Sequence, residues 1–382
     1  MFFSLALAAL DQPDLPSLLK QVDEQRLKAT VQKLSSFTTR NTLSTGLVDA
    51  CEWLAEEYRK IPGMKVVIMK YPIAKGRRIP EDMEAVQVVA TLPGKTGRTV
   101  LLGGHIDSLN LEVDAKTGRA PGANDDASGV ALCLEAARVA AQSKWNQTIQ
   151  FVAFSGEEQG LYGSKAMAAR AKAESMNLEA VLSSDTVGSS SNKSGQKDTK
   201  HVRVFSEEGE GHHSLELARI IEWSVRHSMK DFGVKLVLRR DRFGRGGDHT
   251  PFVAEGFNAV RFIEVHEEFT RQHTPDDLVE HMDFKYLAQV TRANLAALSG
   301  LANAAPAPTG VHVKLDQNHD TTVQWKGQPG VKYVVYWRDT ASAAWQGSVE
   351  AGSEGSVVIK KVNKDDHIFA VGAVGGIPVV AS

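Results

Sequence analysis

Apolar positions recur every three to four residues over 16–36 and 44–61, a spacing that predicts amphipathic helices at the start of the chain. Short apolar runs follow at 65–71, 85–92 and 99–104 with no helical stretch between them. Strands joined without a crossover pair antiparallel, so this edge of the sheet is expected to run antiparallel. Further strand-like runs at 148–154, 180–184, 201–205, 235–238 and 259–263 alternate with helical runs at 127–142, 161–173, 213–230 and 283–301. That alternation predicts an α/β fold: a three-layer αβα arrangement whose central sheet is mixed but mostly parallel and covered on both faces.

The pattern changes at 302–309, an Ala/Pro-rich stretch that reads as a short extended linker. Beyond it, runs at 311–315, 321–325, 332–337, 355–359 and 367–374 are separated by Gly, Asn or Asp turns, which predicts a small all-β sandwich. The expected division is a main domain over 11–304 and a sandwich domain over 305–382. The polar segment 189–199 reads as a solvated loop. Residues 1–10 are apolar and contain Ala6-Leu7-Ala8, the pattern of a signal-peptide remnant, and point to a secreted or periplasmic protein. No other run approaches the roughly 20 apolar residues of a membrane span.

Composition narrows the function classes. Lys plus Arg is 44 and Asp plus Glu is 46 in 382 residues, a net charge of -2. No global field draws the chain onto nucleic acid or an anionic surface, so recognition must come from local sites. The chain has 2 cysteines, Cys51 and Cys133, too few for a disulfide framework or a thiolate zinc site.

Chemistry concentrates where predicted strands end, the usual place for sites in parallel sheets. The strand at 99–104 runs into His105-Ile106-Asp107, whose i, i+2 spacing puts both side chains on one face. Asn124-Asp125-Asp126 opens a helix. The strand at 148–154 delivers Glu157-Glu158, that at 180–184 ends in Asp185, and Gln272-His273-Thr274-Pro275-Asp276-Asp277 precedes the last helix of the main domain. Taken singly, each has an ordinary structural explanation as a cap or a first-turn carboxylate. Taken together, His105, Asp125, Glu158, Asp185 and His273 exceed what one tetrahedral zinc needs and suit two zinc ions sharing a carboxylate. Glu157, adjacent to a ligand but surplus to the set, has the character of a general base.

The order His105-x-Asp107, Asn124-Asp125-Asp126-Ala127-Ser128-Gly129, Glu157-Glu158-Gln159-Gly160-Leu161-x-Gly163-Ser164, Ser184-Asp185, Gly247-Asp248-His249-x-Pro251-Phe252 and His273-Thr274-Pro275-Asp276-Asp277 resembles the co-catalytic dizinc aminopeptidase family over roughly residues 85–300. The resemblance implies two zinc ions per chain, one held by His105 and Asp185, the other by Glu158 and His273, with Asp125 bridging. It implies that Glu157 is the general base and that Asp107 orients His105. It further implies that Asp277 supports the last ligand and that the Asp125–Asp126 peptide is cis. Asp248 and His249 match a motif near the family's pocket, with Gly247 where Ser is usual. Gln272 stands where several members carry Tyr, and its amide is the candidate donor to the oxyanion. In the basic loop 239–245, Arg245 is the candidate clamp for a substrate carboxylate.

The resemblance thus implies a zinc exopeptidase, expected to be monomeric, acting on a peptide or dipeptide. A carboxypeptidase, dipeptidase, N-acyl amino acid amidohydrolase or glutaminyl cyclase on the same site, and a non-catalytic binding protein, are the alternatives. The intact His105 weighs against the cyclase, and the intact ligand set with Glu157 weighs against the binding protein. His212, His213 and His266 read as structural. The C-terminal segment resembles a fibronectin type III sandwich through Trp325 and the run 367–373, with His367 at the usual corner Tyr and little chain after Val374 for a final strand.

Overall fold

A computed structural model of the chain describes residues 14–76, 78–241, 246–315, 319–353 and 355–382. The expected leader at 1–10 and the candidate clamp Arg245 lie outside the described residues.

The first predicted helix is two helices, α1 (Leu15–Lys20) and α2 (Glu24–Ser36). The break falls at Asp23, whose Oδ1 accepts the amides of Gln25 at 2.7 Å and Arg26 at 3.0 Å. A side chain that satisfies two first-turn N–H groups starts a new helix instead of continuing the old one. Next come α3 (Thr45–Arg59), β1 (Lys65–Ile73), β2 (Met83–Leu92), β3 (Arg98–His105), α4 (Ala127–Ala140), β4 (Thr148–Phe154), α5 (Glu157–Gly160) and α6 (Tyr162–Ala173). They are followed by β5 (Asn177–Ser184), β6 (His201–Ser206), α7 (Ser214–Ser228), β7 (Gly233–Leu238), α8 (His249–Ala254), β8 (Ala259–Glu264) and α9 (Phe284–Asn303).

The eight-stranded sheet has the order β1-β2-β4-β3-β5-β8-β6-β7. β1 with β2 and β2 with β4 are antiparallel, as the missing crossovers predict, and β4, β3, β5 and β8 run parallel. One further reversal, β6 against β8, was not read from the pattern. The segment between β5 and β6 carries no helix to bring the chain back across the sheet, so β6 enters from the opposite end. α4 is buried at every residue but Arg138. Its Ala-, Val- and Leu-rich sequence is apolar on nearly every face, and its buried Glu135 is paired with Arg26, as suits a helix enclosed on both sides. All six residues of β8 are buried, Arg261 among them.

After α9 the chain is all-β: β9 (Thr309–Val313), β10 (Thr321–Lys326), β11 (Tyr333–Asp339), β12 (Gly347–Gly352), β13 (Ser356–Ile359), β14 (His367–Ala373) and β15 (Val379–Val380). They form two antiparallel sheets, β13-β10-β9 and β12-β11-β14-β15, closed over Val323, Trp325, Tyr333, Val335, Phe369 and Val371. Two strands exceed the predicted five. β12 is an edge strand of alternating exposure, so little apolar pattern marks it. β15 is only two residues long, yet it pairs Val379 with Val371 and Val380 with Ala370, correcting the expectation that too little chain remains for a last strand. This region rests on α7: Trp223 meets Tyr336 edge-on at 5.4 Å, and Arg219 and Arg226 donate to the carbonyls of Ala343 and Trp345 at 2.8 and 2.6 Å. No described helix is long and apolar enough to cross a membrane.

Candidate metal centre and its cavity

The carboxyl ends of β3 and β5, the turn before α4, the start of α5 and the loop before α9 converge. β3 ends in fully buried His105, and β5 is followed directly by Asp185, whose amide donates to Phe262 O on β8 at 3.1 Å. Thr186 and His273 hold left-handed φ values of 50° and 57°. Non-glycine residues adopt such values where the surroundings impose them. The Asp125–Asp126 peptide is cis.

Asp125 stands at the middle of the cluster. Its Oδ1 lies 3.1 Å from His105 Nε2 and its Oδ2 lies 3.2 Å from His273 Nε2. His105 Nε2 also faces Asp185 Oδ1 at 3.5 Å, and His273 Nε2 faces Glu158 Oε2 at 3.0 Å. The other four residues therefore form two pairs, and the imidazole of each pair reaches a different oxygen of Asp125.

Other buried groups hold these side chains in place. Both oxygens of Asp277 accept main-chain amides, those of Asn124 and Asp125, each at 2.9 Å. Asp126 also comes within reach of His105 and Asp185. Its oxygens, however, accept the amides of His105 at 3.0 Å, Gly129 at 2.8 Å and Thr186 at 3.2 Å, so it caps α4 and ties three segments together. Asp107 accepts the amides of Glu157 and Glu158 at 3.3 and 3.2 Å. His105 Nδ1 sits closer to the main-chain oxygen of Asp107, at 3.1 Å, than to its carboxylate, at 3.7 Å. Fixing one ring nitrogen this way aims the other at the centre.

Two arginines absent from the sequence reading complete the framework. Arg40 is fully buried and donates to the carbonyls of Leu34, Ile106, Pro121 and Gly122, lacing together the segments that carry His105 and Asp125. Arg261 pairs with Asp185 Oδ2 at 2.7 Å and with Asp241. The signal for Arg261 was a lone charge inside the apolar run 259–263, and for Arg40 there was none beyond its type.

The electrostatics reflect crowding. Burial pushes the Asp125 carboxyl up, but His105 and His273 hold it well below the usual carboxylate range. Burial likewise works against Asp185, which Arg261 and His105 bring down to about 2. Glu157 and Glu158 are both raised, first by burial and then by neighbouring carboxylates. Burial also takes Asp248 up to about 7.

The donor set fits zinc: two imidazole nitrogens and carboxylate oxygens, no thiolate, and an oxygen of buried Glu158, Oε1, that has no hydrogen-bond partner. His105, Asp125 and Glu158 each bring one ligand atom within 4.8 Å of the others.

A cavity of about 560 Å³ opens over the cluster, lined by His105, Asp125, Glu157, Glu158, Asp185 and His273 together with Gln272. Asp248 and His249 are buried at the start of α8 and do not line it. Arg78 and Lys165, which the sequence did not single out, do line it.

Residues 87–298 match the model of peptidase family M28. A probable zinc metalloprotease of Leptosphaeria maculans is 34% identical, aligned over 95% of this chain and 94% of its own length. A probable zinc metalloprotease of Pyricularia oryzae is 38% identical over 96% of this chain and 83% of its own. Among solved structures, LapB from Legionella pneumophila superposes with a TM-score of 0.61 at 23% identity, covering 75% of this chain and 74% of that one. An aminopeptidase from Aneurinibacillus sp. superposes with a TM-score of 0.59 at 18% identity, covering 74% of this chain and 95% of that one. The last two share the fold; the family match and the fungal relatives go further, and the chain belongs to peptidase family M28.

Proposed function

We propose that this zinc-dependent peptidase is an exopeptidase of the aminopeptidase type that works with two zinc ions and a glutamate base. His105 and Asp185 would hold one ion, Glu158 and His273 the other, and Asp125 would bridge them. The observation that carries this reading is the division of Asp125, one oxygen toward each imidazole at 3.1 and 3.2 Å. Bound zinc supplies Lewis acidity, polarising the scissile carbonyl and lowering the pKa of the attacking water.

The rest is work for this chain's own groups. Glu157, on the cavity wall beside Glu158, accepts the proton of the attacking water on its carboxylate and returns it to the leaving amine nitrogen. Asp107 positions Glu157 and Glu158 through their amides. Gln272 lines the cavity and presents a neutral amide donor to the carbonyl oxygen. Asp248 and His249 are buried at the start of α8 and take no direct part. The all-β region, with its own core, is a second domain beginning at 305, and none of its described residues lines the cavity.

The test is Glu157→Gln in the full chain, assayed on aminoacyl nitroanilides and dipeptides with zinc counted alongside. Two zincs with turnover nearly abolished support the base; an active variant contradicts it.

A further inference from the structure

Arg78 and Lys165 are cations at the wall of a cavity that also carries four carboxylates, Asp125, Glu157, Glu158 and Asp185, and the buried Arg261. Arg78 is held there by design of the local turn. Gly76 and Ile79 exchange main-chain hydrogen bonds of 2.8 and 3.2 Å, and Ile79 is fully buried in a small cluster with Tyr71, Ile73 and Ala85. Arg78 Nη1 donates to the main-chain oxygen of Glu158, so the guanidinium sits against a residue of the metal centre. Lys165 projects from the first turns of α6, its ammonium 5.7 Å from the Tyr162 ring.

On β1 and α6, Lys70 pairs with Glu84 and Arg170 with Glu174. Among the described residues Arg78 and Lys165 pair with no carboxylate. The charges at the wall sharpen the point. Two divalent ions would balance the lining carboxylates Asp125, Glu157, Glu158 and Asp185, and Arg261 is engaged by Asp185 and Asp241. The charges of Arg78 and Lys165 then stand in surplus, facing whatever enters. A guanidinium anchored by one nitrogen keeps other N–H donors free, a geometry that suits a carboxylate.

We propose that Arg78, assisted by Lys165, forms a carboxylate-binding subsite, so that the preferred substrates are short peptides presenting a carboxylate to this wall. This rests on the exopeptidase reading above. The carboxylate can be the free C-terminus of a dipeptide or the side chain of an N-terminal Asp or Glu, and the two sources are separable.

The zinc-loaded full chain is assayed for kcat/KM on two pairs: Ala-Ala against Ala-Ala amide, and Glu- against Gln-p-nitroanilide. The expected result is a preference of about 10- to 100-fold for the charged member of one pair, the size of a charge-assisted hydrogen bond. Arg78→Gln, and more fully Arg78→Gln with Lys165→Gln, should bring that ratio close to one, mainly through KM, while Arg78→Lys keeps part of it. Both side chains are exposed, so zinc content should stay at the wild-type level. A wild-type ratio near one in both pairs, or a ratio that the double variant leaves unchanged, overturns the subsite. A wild-type chain that carries two zincs and cleaves none of the four overturns the exopeptidase reading instead.

Discussion

Arg261 holds one oxygen of Asp185 and leaves the other to the metal centre: Nη2 lies 2.7 Å from Oδ2, while Oδ1 faces His105 at 3.5 Å. Asp241 takes the far side of the guanidinium, so the arginine is fixed from both ends. All three side chains are buried. Arg261→Leu leaves two buried carboxylates without their shared cation, a loss of about 3–5 kcal/mol for a pair broken on one side. The expected outcome is a lower unfolding midpoint and a weakened zinc site at His105 and Asp185, read as loss of about one zinc per chain on dialysis against a mild chelator. Full zinc retention in a folded Arg261→Leu protein contradicts this role.

Glu157 has no main-chain task, since the amides of the α5 turn are held by Asp107. Glu157→Gln should therefore keep fold and metal content while turnover falls by about 10²- to 10⁴-fold, the scale of general base catalysis. Steady-state kinetics with a parallel zinc count check both halves.

Asp277 acts at one remove, through the amides of Asn124 and Asp125. Asp277→Ala should weaken zinc binding by about 10- to 100-fold, as losses behind a metal ligand do. Titration of the metal-free variant with zinc against a competing indicator measures the shift, and Asp277→Asn, which keeps one acceptor, should fall between.

How far the sequence reaches can be judged from these residues. The clustering of His105, Asp125, Glu158, Asp185 and His273 was legible because all five are His or carboxylate residues placed where predicted strands end or helices begin. Arg261 and Arg40 were not, since Asp185 lies far along the chain from the one and the carbonyls of Ile106, Pro121 and Gly122 far from the other. The helices and parallel strands followed from periodicity. The break at Asp23 and the left-handed Leu161 separating α5 from α6 did not, because a single cap or backbone angle leaves the apolar spacing intact. The reversal of β6 and the short strand β15 are set by tertiary pairing, on which periodicity is silent.

Proton release should accompany metal binding. Burial lowers the His273 pKa, but Asp125 and Glu158 outweigh it and push it up to about 11 in the metal-free protein; His105 is likewise raised, by Asp107, Asp125 and Asp185 against burial. Both imidazoles are thus protonated near neutrality without metal, and zinc must displace those protons. Zinc affinity should rise with pH, and calorimetry in buffers of different ionisation enthalpy should show a net release of protons on binding. The sign for stability is opposite: a raised folded-state pKa stabilises the metal-free protein fully below the unfolded value of about 6.5 and loses that contribution as pH climbs through about 11.

The most direct test of two ions bridged by Asp125 is a zinc titration of the metal-free chain with aminoacyl-nitroanilide hydrolysis followed at each step. The account predicts that bound zinc saturates at two per chain and that turnover reaches its plateau only as the second ion binds, with Asp125→Asn impairing both. Saturation at one zinc with full activity, or hydrolysis that survives complete metal removal, would contradict it.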